Sequence, residues 1–189
     1  MRPITLKHLS FTVEYVGVTN KLIVDTGILA PIPKKVIDAS SGAINIRPKR
    51  YRGLWDTGAT NSVISQRVID ECELKPTGLT IVRGVSGPQI SETFLVSIFL
   101  PNKAFVRVLR VTKGILPGCD VLIGMDIISG GDFAITHSGG KTLFSFRFPS
   151  KNKIDFANEE PSPSHSSIVM EIDPNDLHPN DSSKKHKKC

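Results

Sequence analysis

Two copies of one tripeptide stand out for chemistry, Asp25-Thr26-Gly27 and Asp56-Thr57-Gly58. Each follows an apolar run, Leu22-Ile23-Val24 in the first case and Leu54-Trp55 in the second. A carboxylate in such a place is costly to bury unless hydrogen bonds or an opposite charge hold it. The residues after Asp56 supply the means. Gly58 lets the backbone turn sharply and bring its amide to the carboxylate, Thr57 offers a hydroxyl, and Ala59 is small enough for close packing. After Gly27, in contrast, come bulky Ile28-Leu29 and then Pro31 and Pro33. The context assigns the catalytic role to Asp56 and makes Asp25 a turn at the end of a strand, where Asp and Gly are ordinary.

A carboxylate of this kind can activate water. Hydrolysis of a peptide bond without metal or covalent intermediate needs one carboxylate as base, while a second, protonated carboxyl polarises the scissile carbonyl. Two carboxyls a few ångström apart share a proton and so furnish both roles. With only Asp56 in a suitable context, the second has to come from another copy of the chain.

Downstream, Val121-Leu122-Ile123-Gly124-Met125-Asp126-Ile127-Ile128 sets apolar residues before Gly, a variable residue and Asp. Together with Asp56-Thr57-Gly58 this resembles the two signatures of the retropepsins, the retroviral-type aspartic peptidases. The resemblance covers roughly residues 52–148. It implies a mostly β, closed acid-protease barrel with one or two short helices, and a flap hairpin between the signatures. It also implies a homodimer in which Thr57 reaches across the two-fold axis to the partner's backbone, with a peptide lying extended between flap and floor. On that basis Asp56, Thr57 and Gly58 are the catalytic residues, and Ala59, Thr60, Gly84, Val85, Ser86 and Gly87 the substrate-binding ones. Thr60 stands where many viral enzymes have Asp, and Met125 where they have Arg. Both members of that ion pair are replaced together, which points to a cellular or bacterial branch. A retropepsin-like module that dimerises and binds peptides without cutting them is the alternative reading.

The elements that must position these residues are mostly strands. Residues 11–16 alternate apolar and polar side chains, and residues 22–24, 94–100, 105–111 and 142–148 are dense in β-branched, Leu and Phe residues. Residues 30–50, rich in Pro, Lys, Ser and Gly, read as a loop. Ser65 can cap a short amphipathic helix carrying Val68, Ile69 and Cys72. Gly84 and Gly87 provide permissive backbone at the tip of a long hairpin. Asp126 is expected to cap a short helix over 127–129, and Phe144, Phe146 and Phe148 share one face of the last strand.

Composition sets the outer bounds. The 189 residues suffice for one domain, expected over 1–150, followed by a polar tail over 151–189 that is too poor in apolar residues to fold. The net charge of +6 is uneven, with 18 Lys and Arg against 11 acids in residues 1–150 and 6 against 7 in the rest. The densest basic run, Arg47-Pro48-Lys49-Arg50-Tyr51-Arg52, reads as a solvated loop, and nucleic acid is an unlikely partner. Cys72, Cys119 and Cys189 have no framework spacing, and His8, His137, His165, His178 and His186 no ligand spacing, so neither disulfide, metal nor cofactor is expected. No leader or membrane-length apolar run is visible, and a cytoplasmic setting is the expectation.

Overall fold

The computed structural model describes residues 9–31, 47–84 and 87–158. The chain divides into two units, 1–152 and 153–189, and in the second the described part holds only a short 3-10 turn at Phe156–Asn158.

Ten strands and two short helices make up the described part of the first unit: β1 (Leu9–Glu14), β2 (Leu22–Leu29), β3 (Lys49–Trp55), β4 (Val63–Ile64), α1 (Gln66–Glu71), β5 (Gly78–Gly84), β6 (Gly87–Phe99), β7 (Phe105–Lys113), β8 (Val121–Ile123), α2 (Met125–Ile128), β9 (Asp132–Ser138) and β10 (Lys141–Phe148). The larger sheet runs β2-β3-β8-β4-β7-β6-β5. Residues 27–29 of β2 also pair with residues 97–99 of β6. That extra pairing returns the sheet to its first strand, so six strands form a ring and β5 hangs outside it. The ring encloses Ile28, Ile64, Val96, Ile98, Val111, Val121 and Ile123, all fully buried. Each such side chain contributes roughly 1.5–3 kcal/mol through burial.

A second sheet, β1-β10-β9, packs on one end of the first. Its central strand β10 alternates as a sheet with one wet face must: Thr142, Phe144 and Phe146 are buried while Lys141 and Leu143 are exposed. The buried aromatics meet Trp55 at the end of β3. Its ring centroid lies 4.8 Å from Phe146, 5.2 Å from Phe144 and 5.7 Å from Phe11. Tilted pairs of this kind add about 0.5–1.5 kcal/mol each beyond their buried area. The cluster therefore fixes the residue immediately before Asp56.

Two expectations are corrected here, and one strand is added. Asp25 is not a turn: it sits inside β2, opposite Arg52, because Thr26 and Ile28 are buried and hold the chain extended past it. The basic run is strand, not loop, from Lys49 onward. Tyr51 is buried, donating to Glu71 at 2.9 Å, and Lys49 Nζ reaches the Glu71 carbonyl. Burial, followed by the Cys72 and Glu71 hydrogen bonds, pushes the Tyr51 phenol well up. The added strand is β9, in which Phe133, Ile135 and His137 alternate with Ala134 and Thr136 before Gly139-Gly140 turns the chain into β10.

Helix α1 is capped as expected, Ser65 Oγ accepting the Val68 amide at 3.4 Å. Among the described residues no helix is long and apolar enough to cross a membrane.

Candidate active site

Strand β3 delivers Asp56 to the mouth of a cavity. Its own amide donates to the Ile123 carbonyl at 3.0 Å, which registers the end of β3 against β8, its parallel neighbour from Gly53↔Val121 to Trp55↔Ile123. The chain then turns. Gly58 donates its amide to Asp56 Oδ1 at 2.8 Å, and a Cβ on Gly58 would stand 3.2 Å from that same oxygen. The close approach suits glycine, and the charge-assisted hydrogen bond orients the carboxylate. Thr57 and Gly58 are exposed, and the Thr57 hydroxyl has no hydrogen bond to a described residue.

The loop from Asp56 to Val63 is held from below by the second signature. β8 lies between β3 and β4, so the strands before and after the loop both pair with it. Past its end, the amides of Met125 and Asp126 donate to the carbonyls of Ala59 at 2.8 Å and Thr60 at 3.1 Å. Gly124 donates to Ser62 Oγ at 3.1 Å. Asp126 accepts from the Ser62 amide at 2.8 Å and the Ser62 hydroxyl at 2.7 Å. Its role is structural, but it is not the expected cap. Gly124 occupies the N-cap of α2 with no side-chain bond, and Asp126, in the first turn, is spent on Ser62.

The cavity at Asp56 has a volume of about 320 Å³. Trp55, Asp56 and Thr57 form one wall, Thr19, Asn20 and Leu22 another, and Phe133, Ile135 and His137 of β9 the third. The indole N–H of Trp55 is buried without an acceptor among the described residues. The sequence does not single out the last two walls for the site: His137 lacks ligand spacing, and Thr19 and Asn20 have only the residue types of a turn. The alternating Phe-x-Ile-x-His pattern before a Gly-Gly turn was the available signal.

β9 is anchored at its start by Asp132, which accepts from Arg147 Nε at 2.8 Å, the Ser150 hydroxyl, and the Lys151 amide at 2.9 Å. These bonds, the Ser150 hydroxyl first, hold its carboxyl well below the usual carboxylate range. The His137 ring lies 3.0 Å from the Thr142 hydroxyl of β10.

Of the residues assigned to substrate, Ala59 is half-buried and Thr60 exposed, both with carbonyls turned to α2. Gly84 and Gly87 face each other at the end of the β5–β6 pairing, Gly87 with φ +91°. Val85 and Ser86 lie outside the described residues. Farther down the same hairpin, Val82, Gln89, Ile90, Ser91 and Glu92 bound a cavity of about 520 Å³ whose opposite wall is Val63 and residues 112–116. Asp25 borders a different cavity, with Arg50, Phe99 and Lys103.

Residues 41–127 match the model of a family described as aspartyl protease, a stretch that contains both signatures. No curated protein matches. Among solved structures, the chain is similar to a retropepsin-like aspartic protease from Rickettsia conorii, with 8% identity over 76% of this chain and 97% of that one and a TM-score of 0.47. It is also similar to the EIAV protease in complex with an inhibitor, with 16% identity, 61% and 91% coverage and a TM-score of 0.42. A retroviral protease-like domain of Ddi1 from Leishmania major gives 16% identity, 51% and 85% coverage and a TM-score of 0.33.

Proposed function

We propose that this chain, whose residues 41–127 match the aspartyl-protease family model, is an aspartic endopeptidase that works as a homodimer. The observation that carries the proposal is the setting of Asp56: a carboxylate oriented by the Gly58 amide and lining a cavity, on a loop that the second signature ties down by five hydrogen bonds. Such rigid support is what positioning a reacting water demands.

Catalysis requires two such carboxyls, so the second copy of Asp56 completes the site. One carboxylate takes a proton from the water as it attacks the scissile carbonyl, while the other, protonated, donates to the carbonyl oxygen; the shared proton then passes to the leaving amine. Thr57, exposed and without a partner among the described residues, is free to bond across the axis. The substrate lies extended beneath the β5–β6 hairpin. Leu79, Ile81 and Ile90 are exposed on that hairpin, and the cavity it shares with Val63 is of a size to take an apolar side chain.

The test is incubation of the purified chain with a peptide library, beside Asp56→Asn and Asp25→Asn. Cleavage should fall by roughly 10²–10⁴-fold or more in the first variant. It should stay within roughly twofold in the second, an exposed strand position remote in sequence from the Asp56 loop. Equal loss in both variants with the fold intact would overturn the assignment, and absence of cleavage by the parent would favour a peptide-binding relative.

A further inference from the structure

The first Asp-Thr-Gly triplet and the basic run over 47–52, neither taken up by the Asp56 site, meet on one face of the larger sheet. Burial alternates along β3, so Tyr51 and Gly53 point inward while Arg50 and Arg52 are exposed. Register carries Arg50 across three further strands in a single row: it faces Gly27 of β2, Gly27 faces Phe99 of β6, and Phe99 faces Phe105 of β7. Gly27 is fixed by space there, since a Cβ would stand 2.9 Å from the Pro48 ring and 3.1 Å from Phe99 Cβ. Its bareness lets Pro48 and Phe99 close into an apolar floor. Phe105 braces Phe99 from behind, with ring centroids 4.5 Å apart.

This floor belongs to a cavity of about 640 Å³ that also touches Asp25, Pro101 and Lys103. Arg50, Arg52 and Lys103 are exposed, and among the described residues none of the three is ion-paired. Lys103 sits in the turn between β6 and β7 with φ +64°, its amide closing the turn on the Leu100 carbonyl at 3.0 Å. Left-handed backbone of this kind favours Gly or Asn, and a lysine held in it is a strained choice that its position at the cavity explains.

We propose that this cavity is a docking site for a partner polypeptide, taking a short segment in which an apolar side chain is flanked by Asp or Glu. The apolar side chain enters against Pro48 and Phe99, and the flanking carboxylates meet Arg50 on the β3 side and Lys103 on the β6 side. Unpaired cations at the rim of an apolar recess are complementary to that pattern. A nucleic-acid strand fits less well, because its phosphates recur at every residue and Asp25 stands in the wall as a fixed negative charge. The cavity shares no residue with the one at Asp56, so the proposal stands or falls independently of the peptidase reading.

The experiment is fluorescence anisotropy with the full-length chain carrying Asp56→Asn, so that no probe is cut. The probe is a labelled heptapeptide of one Phe between two runs of three Glu, beside its Gln analogue and a uridine heptanucleotide. The Glu peptide should bind with an affinity that falls as salt rises, and the Gln analogue should bind at least about tenfold more weakly. Arg50→Gln together with Lys103→Gly should weaken the Glu peptide at least about tenfold, while Arg110→Gln, an exposed β7 cation outside the cavity, should change it less than about twofold. Glycine suits the backbone at position 103, so Lys103→Gly should keep the parent's urea midpoint, which separates lost docking from lost fold. A parent that does not bind the Glu peptide, or equal weakening by Arg110→Gln, overturns the proposal. Tighter binding of the RNA, lost in the same double variant, overturns it in favour of nucleic acid. A parent that binds neither probe, with a double variant that unfolds at lower urea, overturns it in favour of the chain's own residues 32–46 as the occupant.

Discussion

Asp126 and Ser62 are joined twice, the carboxylate taking the amide of Ser62 at 2.8 Å and its hydroxyl at 2.7 Å. The hydroxyl oxygen in turn accepts from Gly124 at 3.1 Å. The last turn of the Asp56 loop is thus closed by the second signature through a side chain rather than by the strand ladder alone. Because Ser62 is fully buried, water cannot replace these bonds.

Ser62→Ala removes the hydroxyl bridge and leaves the Gly124 amide without its acceptor. Asp126→Ala leaves the Ser62 amide unpaired. Each should lower unfolding free energy by about 1–3 kcal/mol in urea titrations. Cleavage by the folded variants should fall further than stability at assay temperature would explain, since the loop carries Asp56. If both variants unfold at the parent's urea midpoint, the bridge contributes nothing.

Gly124 is fixed by space rather than by conformation. A Cβ there would stand 2.7 Å from the Asn61 carbonyl carbon and 2.9 Å from the Ala59 oxygen, both backbone atoms that have to move. Gly124→Ala should therefore cost about 1–3 kcal/mol and displace the Asp56 loop. Gly84→Ala, with nothing within 4 Å of the added carbon, should be close to silent in the same denaturation experiment. The reverse ranking would show that the loop yields more easily than the hairpin.

The Asp132 carboxyl is held below its ordinary value near 3.8 by Ser150, Lys151 and Arg147. The folded state therefore binds this proton more weakly than the unfolded chain does. The contribution to stability is complete above the ordinary carboxylate range and is lost as pH falls from about 4 towards the depressed folded value. Asp132→Asn should be less stable than the parent at pH 7, with the two curves converging below pH 4. A gap that stays constant from pH 7 to pH 3 would mean that packing, not charge, is what the substitution disturbs.

Sequence alone sets the two Asp-Thr-Gly triplets apart. Small Ala59 and polar Thr60 follow the second and bulky Ile28 and Leu29 the first, a difference of local sterics, which neighbouring residues determine. Local chemistry likewise foretold the Ser65 cap and the alternation that buries Phe144 and Phe146. Tertiary structure decided what distance in sequence conceals. Asp25 looks like a turn former, yet burial of Thr26 and Ile28 against β3 and β6 draws it into a strand. Lys49 to Arg52 look like a charged loop, yet Tyr51 has a buried place beside α1. Asp126 has the residue type of a cap, but its nearest donors in the fold belong to Ser62, 64 positions earlier. And β9, whose alternation marks a strand but not its place, becomes the third wall of the Asp56 cavity because Phe133 packs on Trp55 with ring centroids 6.3 Å apart. A strand's face and partners are set by contacts it makes across the chain, and those form only when the core closes.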